Sequence, residues 1–167
     1  TKMEIKVNLE NFNVGNKEDQ LKNVSKVKKM LAKLAVPMQT GFIIKDILKS
    51  LELLAQPEIT YYKLADVVHD CAMNLSAIAK YKANSSIKTQ LDYLAFILES
   101  IAVSSFVVLE FWPIPSYALF ASAGFLALDA NQIDSAKEFL RKGLGVKGDY
   151  DRLLELEEAI SVKEKEI

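Results

Sequence analysis

The chain has one cysteine, Cys71, and one histidine, His69, in 167 residues. A single cysteine excludes an intramolecular disulfide, so a disulfide-stapled secreted scaffold is not expected. Zinc sites take three or four ligands, usually His or Cys. His69 and Cys71 stand two positions apart, a spacing that sends them to different faces of a helix. That spacing also argues against a local Cys–His nucleophilic pair, so Cys71 is expected to be buried beside a partly exposed His69.

There is no surplus of either charge. The net charge of -1 argues against a general polyanion binder. Residues 1–10 show no apolar run behind positive charge, so no signal peptide is expected and the cytoplasm is the expected compartment. No glycine-rich loop has phosphate-binding form. Gly143, Gly145 and Gly148 follow a helix, whereas a phosphate loop follows a strand and precedes a helix. They are expected to end that helix. Long membrane-type runs are absent too. Between Tyr93 and Leu128 only Glu99 and Glu110 are charged, but Glu110 and the Pro113-Ile114-Pro115 break leave pieces shorter than the ~20 apolar residues a span needs. No membrane insertion is expected.

What is present is a large stock of core-forming residues. Half the sequence is apolar and 26% is charged, which fits a folded domain. At this length one domain is expected, over 1–167, organised as an arm (1–15), a helical core (16–115) and a terminal hairpin with a further helix (116–167). The arm contains Met3, Ile5, Val7 and Leu9 alternating with polar residues, the period of a short strand. The remainder reads as an all-α antiparallel bundle of six or seven helices. They are expected at about 17–36, 39–55, 58–82, 86–111, 117–130, 133–144 and 150–165. Phe42, Ile43, Ile47, Leu48, Leu51 and Leu54 form the expected buried set of the second. The fourth is apolar almost all round, so it is predicted to be central. Ser116 is the expected cap of the fifth, and Asn131-Gln132 the turn before the sixth.

Several residue groups are candidates for chemistry. Lys22, Lys26, Lys29 and Lys33 form a stripe opposite the apolar face of the first helix. It suits a solvated face first, and otherwise an acidic partner or a polyanion, although it lacks the arginines and aromatics of base recognition. Phe111, Trp112, Ile114 and Tyr117 make an apolar knot at a helix break, either plugging the core or anchoring a protein interface. Glu99 and Glu110 lie eleven residues apart, about three turns, on one side of the fourth helix. With Asp92 they are the candidates for carboxylate chemistry or a ligand cavity there.

Residues 117–150, YALFASAGFLALDANQIDSAKEFLRKGLGVKGDY, resemble one tetratricopeptide repeat of 34 residues. Phe120 stands at the large first-helix position, and Ala123-Gly124 at the small pair where helices cross closely. Asn131-Gln132-Ile133 replaces the usual Gly-Asp-Tyr turn, Ala136 matches the small second-helix residue, and Phe139-Leu140 match the aromatic region. Gly143-Leu144 stand where Ala-Leu is common. Gly148 replaces the usual proline and Ala127 a common tyrosine. The resemblance covers about a fifth of the chain, and the last helix is placed to cap it. It implies a role in protein interaction. The expected function is therefore a non-enzymatic interaction or assembly subunit, with no catalytic residue, metal or cofactor assigned. A nucleic-acid-associated subunit using the lysine stripe is the alternative, and a carboxylate enzyme or ligand carrier built on the 86–111 helix is a third reading. A homodimer is also expected, from the unpartnered strand, the apolar 93–128 stretch, and a basic front opposed to an acidic back.

Overall fold

The computed structural model describes residues 17–56, 58–81, 85–106 and 114–166. It is all-α: among the described residues there are seven helices and no strand. The helices are α1 (Lys17–Ala32), α2 (Met38–Glu52), α3 (Tyr61–Tyr81), α4 (Ser85–Phe106), α5 (Ser116–Asp129), α6 (Ile133–Val146) and α7 (Asp151–Lys165). None of the described helices is long and apolar enough to cross a membrane. The expected strand at 3–9 lies outside the described residues. The chain divides into two compact units, one holding α1–α4 and the other α5–α7.

In the first unit α3 and α4 pack along each other, α1 touches α2 and α4, and α2 rests on α3. The helix starts follow local chemistry. Glu18 and Asp19 occupy the first turn of α1, where the helix dipole favours acids. The α1 helix stops at Ala32, short of the expected residue 36, because Lys33 and Leu34 bond back to Met30 and Leu31 in a tightened last turn ahead of Pro37. Thr60 opens α3: its Oγ1 accepts the backbone N–H of Lys63 at 3.1 Å. Ile59 and Leu64, at the two positions of a hydrophobic staple, are both buried.

The α4 helix is central, as its composition predicts. From Leu91 to Ser105 every residue but Tyr93 is buried. Three of its polar residues meet that burial locally, whereas the buried Ser105 Oγ has no hydrogen-bond partner among the described residues. Ser100 Oγ donates to the Phe96 carbonyl at 2.8 Å, Ser104 Oγ donates to the Ser100 carbonyl at 3.0 Å, and Lys88 Nζ donates to Asp92 at 2.7 Å.

The α2 helix departs from expectation. Phe42 and Ile43 are exposed, and Leu48 is half-buried. The inward row is Thr40, Ile44, Ile47, Leu51 and Leu54. Phe42-Ile43-Ile44 sweep roughly 200° around a helix, so only part of that run can face inward. Ile44, Ile47, Leu51 and Leu54 recur at three, four and three residues, and that row sets the register.

In the second unit α5 and α6 form a hairpin on which α7 packs. Two details differ from expectation. Ser116 is the first residue of α5 rather than its cap; Pro115 holds the cap position, with no side-chain capping bond. Gly143 and Gly145 do not end α6, which runs on to Val146. Gly143 is instead a packing residue, since a Cβ there would stand 2.7 Å from Leu153 Cδ2 and 3.2 Å from Phe120 Cβ. Gly124 has the same role, with a Cβ falling 2.2 Å from Leu156 Cδ2. The α5–α6 turn uses Asn131 at φ 58°, a left-handed conformation that asparagine tolerates.

These contacts give a graded expectation. Phe139→Ala, at a fully buried ring, is expected to cost about 3–5 kcal/mol. Gly124→Val is expected to cost about 1–3 kcal/mol by overpacking against Leu156. Gly145→Ala, where a Cβ meets nothing within 4 Å, is expected to be neutral or stabilising by up to ~1 kcal/mol. Chemical denaturation of the full chain ranks the three. Equal effects at Gly124 and Gly145 would refute the close α5–α7 approach.

Candidate functional site

Several large apolar side chains of α2 and its end are exposed. Met38 is 77% exposed, Phe42 62%, Ile43 44%, and Leu53, just past the helix end, 58%. This follows from the register above: with Ile44 and Ile47 inward, the remaining large residues point outward. Beside them a groove of about 550 Å³ opens between α2 and α3. Its apolar lining is Ile43, Ile47, Leu53, Val67 and Cys71. Its charged lining is Asp46 from α2 with Lys63, Asp66 and Asp70 from α3, joined by Ser50 and Asn74.

Cys71 belongs to the groove lining. Burial, with a smaller push from the Asp70 charge, raises its thiol to about 12, so it stays protonated at neutral pH. Among the described residues no three His, Cys, Asp or Glu side chains are grouped to hold a metal ion.

Beneath this surface lies a polar contact that sequence reasoning missed. His69 Nδ1 donates to both carboxylate oxygens of Glu99, at 2.7 and 3.0 Å, joining α3 to α4. Glu99 is fully buried, and the His69 side chain is 14% exposed. Burial pulls the imidazole pKa down, but the Glu99 hydrogen bond and charge, helped by Asp70 and Asp66, override it and leave it above its ordinary value. The two residues stand thirty positions apart. The only hint in the sequence is a lone carboxylate inside an apolar helix, which needs a partner from somewhere. Glu99 is thereby engaged in a structural pair, and none of the groove-lining residues comes from α4. Glu110 lies outside the described residues.

The other candidates are dispersed. Lys22, Lys26 and Lys29 on α1 and Lys33 just past its end are all exposed, as their spacing predicts, and none pairs with an acid among the described residues. Phe111 and Trp112 lie outside the described residues. Ile114 is half-buried. Tyr117 packs its ring against Tyr150 at 4.8 Å, with Lys147 Nζ 5.7 Å from its centroid, so it braces the α5 start against the loop before α7.

Comparison with protein-family models, with curated proteins and with solved structures gives no match to this chain.

The His69–Glu99 pair has a defined pH signature. His69 titrates above its ordinary value near ~6.5 when folded. Its contribution to stability is therefore complete below about pH 6.5 and is lost as pH rises through the raised folded value. In an NMR titration, Glu99→Gln is expected to lower the His69 pKa and to flatten this fall in stability. An unshifted imidazole in the variant would exclude Glu99 as the cause.

Proposed function

We propose that this chain is a non-enzymatic interaction or assembly subunit that binds another polypeptide through its helical surfaces. One observation carries the reading: Met38, Phe42, Ile43 and Leu53 stand exposed on α2 and just past its end, and Ile43 and Leu53 of these line a groove. Single exposed apolar residues are ordinary, whereas several on one short helix beside a groove suit an interaction surface. The chemistry beside them favours binding over catalysis. The groove thiol is held protonated and the buried carboxylate Glu99 is tied to His69.

A tetratricopeptide-like character for the second unit belongs to the same reading. It is supported by the crossing at Gly124 and Gly143, the Phe120–Phe139 ring contact at 6.5 Å, and the left-handed Asn131 where the family has glycine. One such hairpin offers α7 as its cap rather than a superhelical platform. The expected setting is the cytoplasm. Self-association belongs to the proposal as well, as a homodimer, and light scattering tests it: a mass near 18.7 kDa up to about hundred-micromolar loading removes it. The competing reading, nucleic-acid association through Lys22, Lys26, Lys29 and Lys33, rests on their exposure; salt-dependent retention on nucleic acid that is lost on changing all four to Gln would favour it.

The test is comparative affinity capture from the native host. Phe42→Glu, at an exposed position, is expected to change stability by no more than about 0.5 kcal/mol while eliminating a protein partner that the unchanged chain retains. Identical partner profiles for the two chains would remove α2 as the interaction surface.

A further inference from the structure

The groove between α2 and α3 carries more information than its apolar floor, because its rim is charged in one sense. Asp46, Asp66 and Asp70 line it, against the single cation Lys63. None of the three carboxylates forms an ion pair among the described residues, and all three side chains are exposed or half-buried. Like charges gathered around an apolar slot raise the local negative potential and favour a cationic guest. We propose that the occupant of this groove is a basic amphipathic α-helix of a partner polypeptide; the proposal rests on the interaction reading above and names the chemistry of the partner.

Three arguments select a helix of that kind. The groove walls are themselves helices, whose backbone N–H and C=O groups are spent internally. An extended guest would find no sheet edge to pair with, whereas a helical guest satisfies its own backbone. The lining offers the exposed Ile43 and Leu53 and the half-buried Val67 over a floor that includes the buried Ile47, which suits an apolar helix face with anchors at i, i+3, i+4 and i+7. Asp66 and Asp70 are four residues apart on α3, about 6 Å of rise, which matches Lys or Arg at i and i+4 of a guest helix. The fifteen residues of α2 give the groove wall a length of about 22 Å, so a guest of about four turns suffices.

A second copy of this chain does not supply such a helix from α1. That helix carries the lysine stripe, but its apolar face, Val24, Val27 and Leu31, is buried in its own core. A nucleic acid or an anionic membrane is disfavoured at this groove by the same three carboxylates.

The probe is a fluorescein-labelled 14-residue helical peptide with leucine on one face and lysine on the other. Its two controls are a twin with glutamate replacing lysine and a scrambled lysine peptide without helical periodicity. Anisotropy titration of the full chain is expected to give saturable binding of the first, with both controls about tenfold weaker or worse. Asp46→Asn/Asp66→Asn/Asp70→Asn is expected to weaken the lysine peptide about tenfold. Asp46→Asn alone, on the helix that does not carry His69, is expected to weaken it by about threefold and keeps the test valid should the triple variant be destabilised. Glu157→Gln/Glu158→Gln, removing exposed acids on α7, is expected to leave binding unchanged. Absence of saturable binding, equal binding of the lysine and glutamate twins, insensitivity to Asp46→Asn, or an equal loss with the α7 variant would each overturn the basic-helix proposal. A partner lost from Phe42→Glu in host capture, alongside failure of the lysine peptide, would leave the interaction reading standing and remove only the basic guest.

Discussion

Glu99 lies at zero exposure on α4, and the helix around it is apolar on nearly every side. A carboxylate in that position is costly unless another group meets it, and the first unit answers with His69, which reaches from α3 to both carboxylate oxygens. Much of the unit follows from this contact. It specifies the rotation of α3 relative to α4, because His69 must face inward far enough to reach a buried acid. That rotation places Leu64, Val68, Cys71, Ala72 and Leu75 in the core and leaves Asp66 and Asp70 at the groove. A hydrophobic pair at these two positions would pack without specifying the rotation so narrowly.

The second unit depends on a different constraint, the absence of side chains. Leu156 and Leu153 of α7 occupy the space that a Cβ at Gly124 and Gly143 would take. Close approach lets Phe139 reach zero exposure in a unit of three short helices. The two aromatic contacts, Phe120 with Phe139 and Tyr117 with Tyr150, tie the hairpin to itself and its opening to the loop before α7. Arg152 adds its guanidinium over the Phe125 ring at 4.0 Å, covering apolar surface with a cationic group.

The surface proposed for binding arises from the core of the first unit. The α2 helix presents three consecutive large apolar residues, and the neighbouring core accepts only Ile44 from that run. Phe42 and Ile43 are displaced outward and remain beside a slot with acids on its rim. Thr40 meanwhile takes a fully buried place with no hydrogen-bond partner for its hydroxyl among the described residues. Burying a small polar residue while leaving a phenylalanine in solvent reverses the usual preference.

The amino-acid sequence by itself determined the helical class, the approximate spans of seven helices, the central place of α4 and the solvated lysine stripe of α1. Each is a consequence of period: apolar residues recurring at three and four positions, or recurring on all sides, define a helix face whatever lies next to it. It also marked Ala123-Gly124 as a crossing point, because small residues in an apolar helix leave room that a neighbour fills. Tertiary structure alone decided which of Phe42, Ile43 and Ile44 turned inward, that Gly143 lies inside α6 as a packing residue, and that His69 and Glu99 meet across thirty residues. Those outcomes depend on which helix lies opposite and at what rotation. Local periodicity is satisfied equally by several rotations of α2, and nothing in the spacing of a lone histidine and a lone carboxylate specifies that two helices will bring them within 2.7 Å.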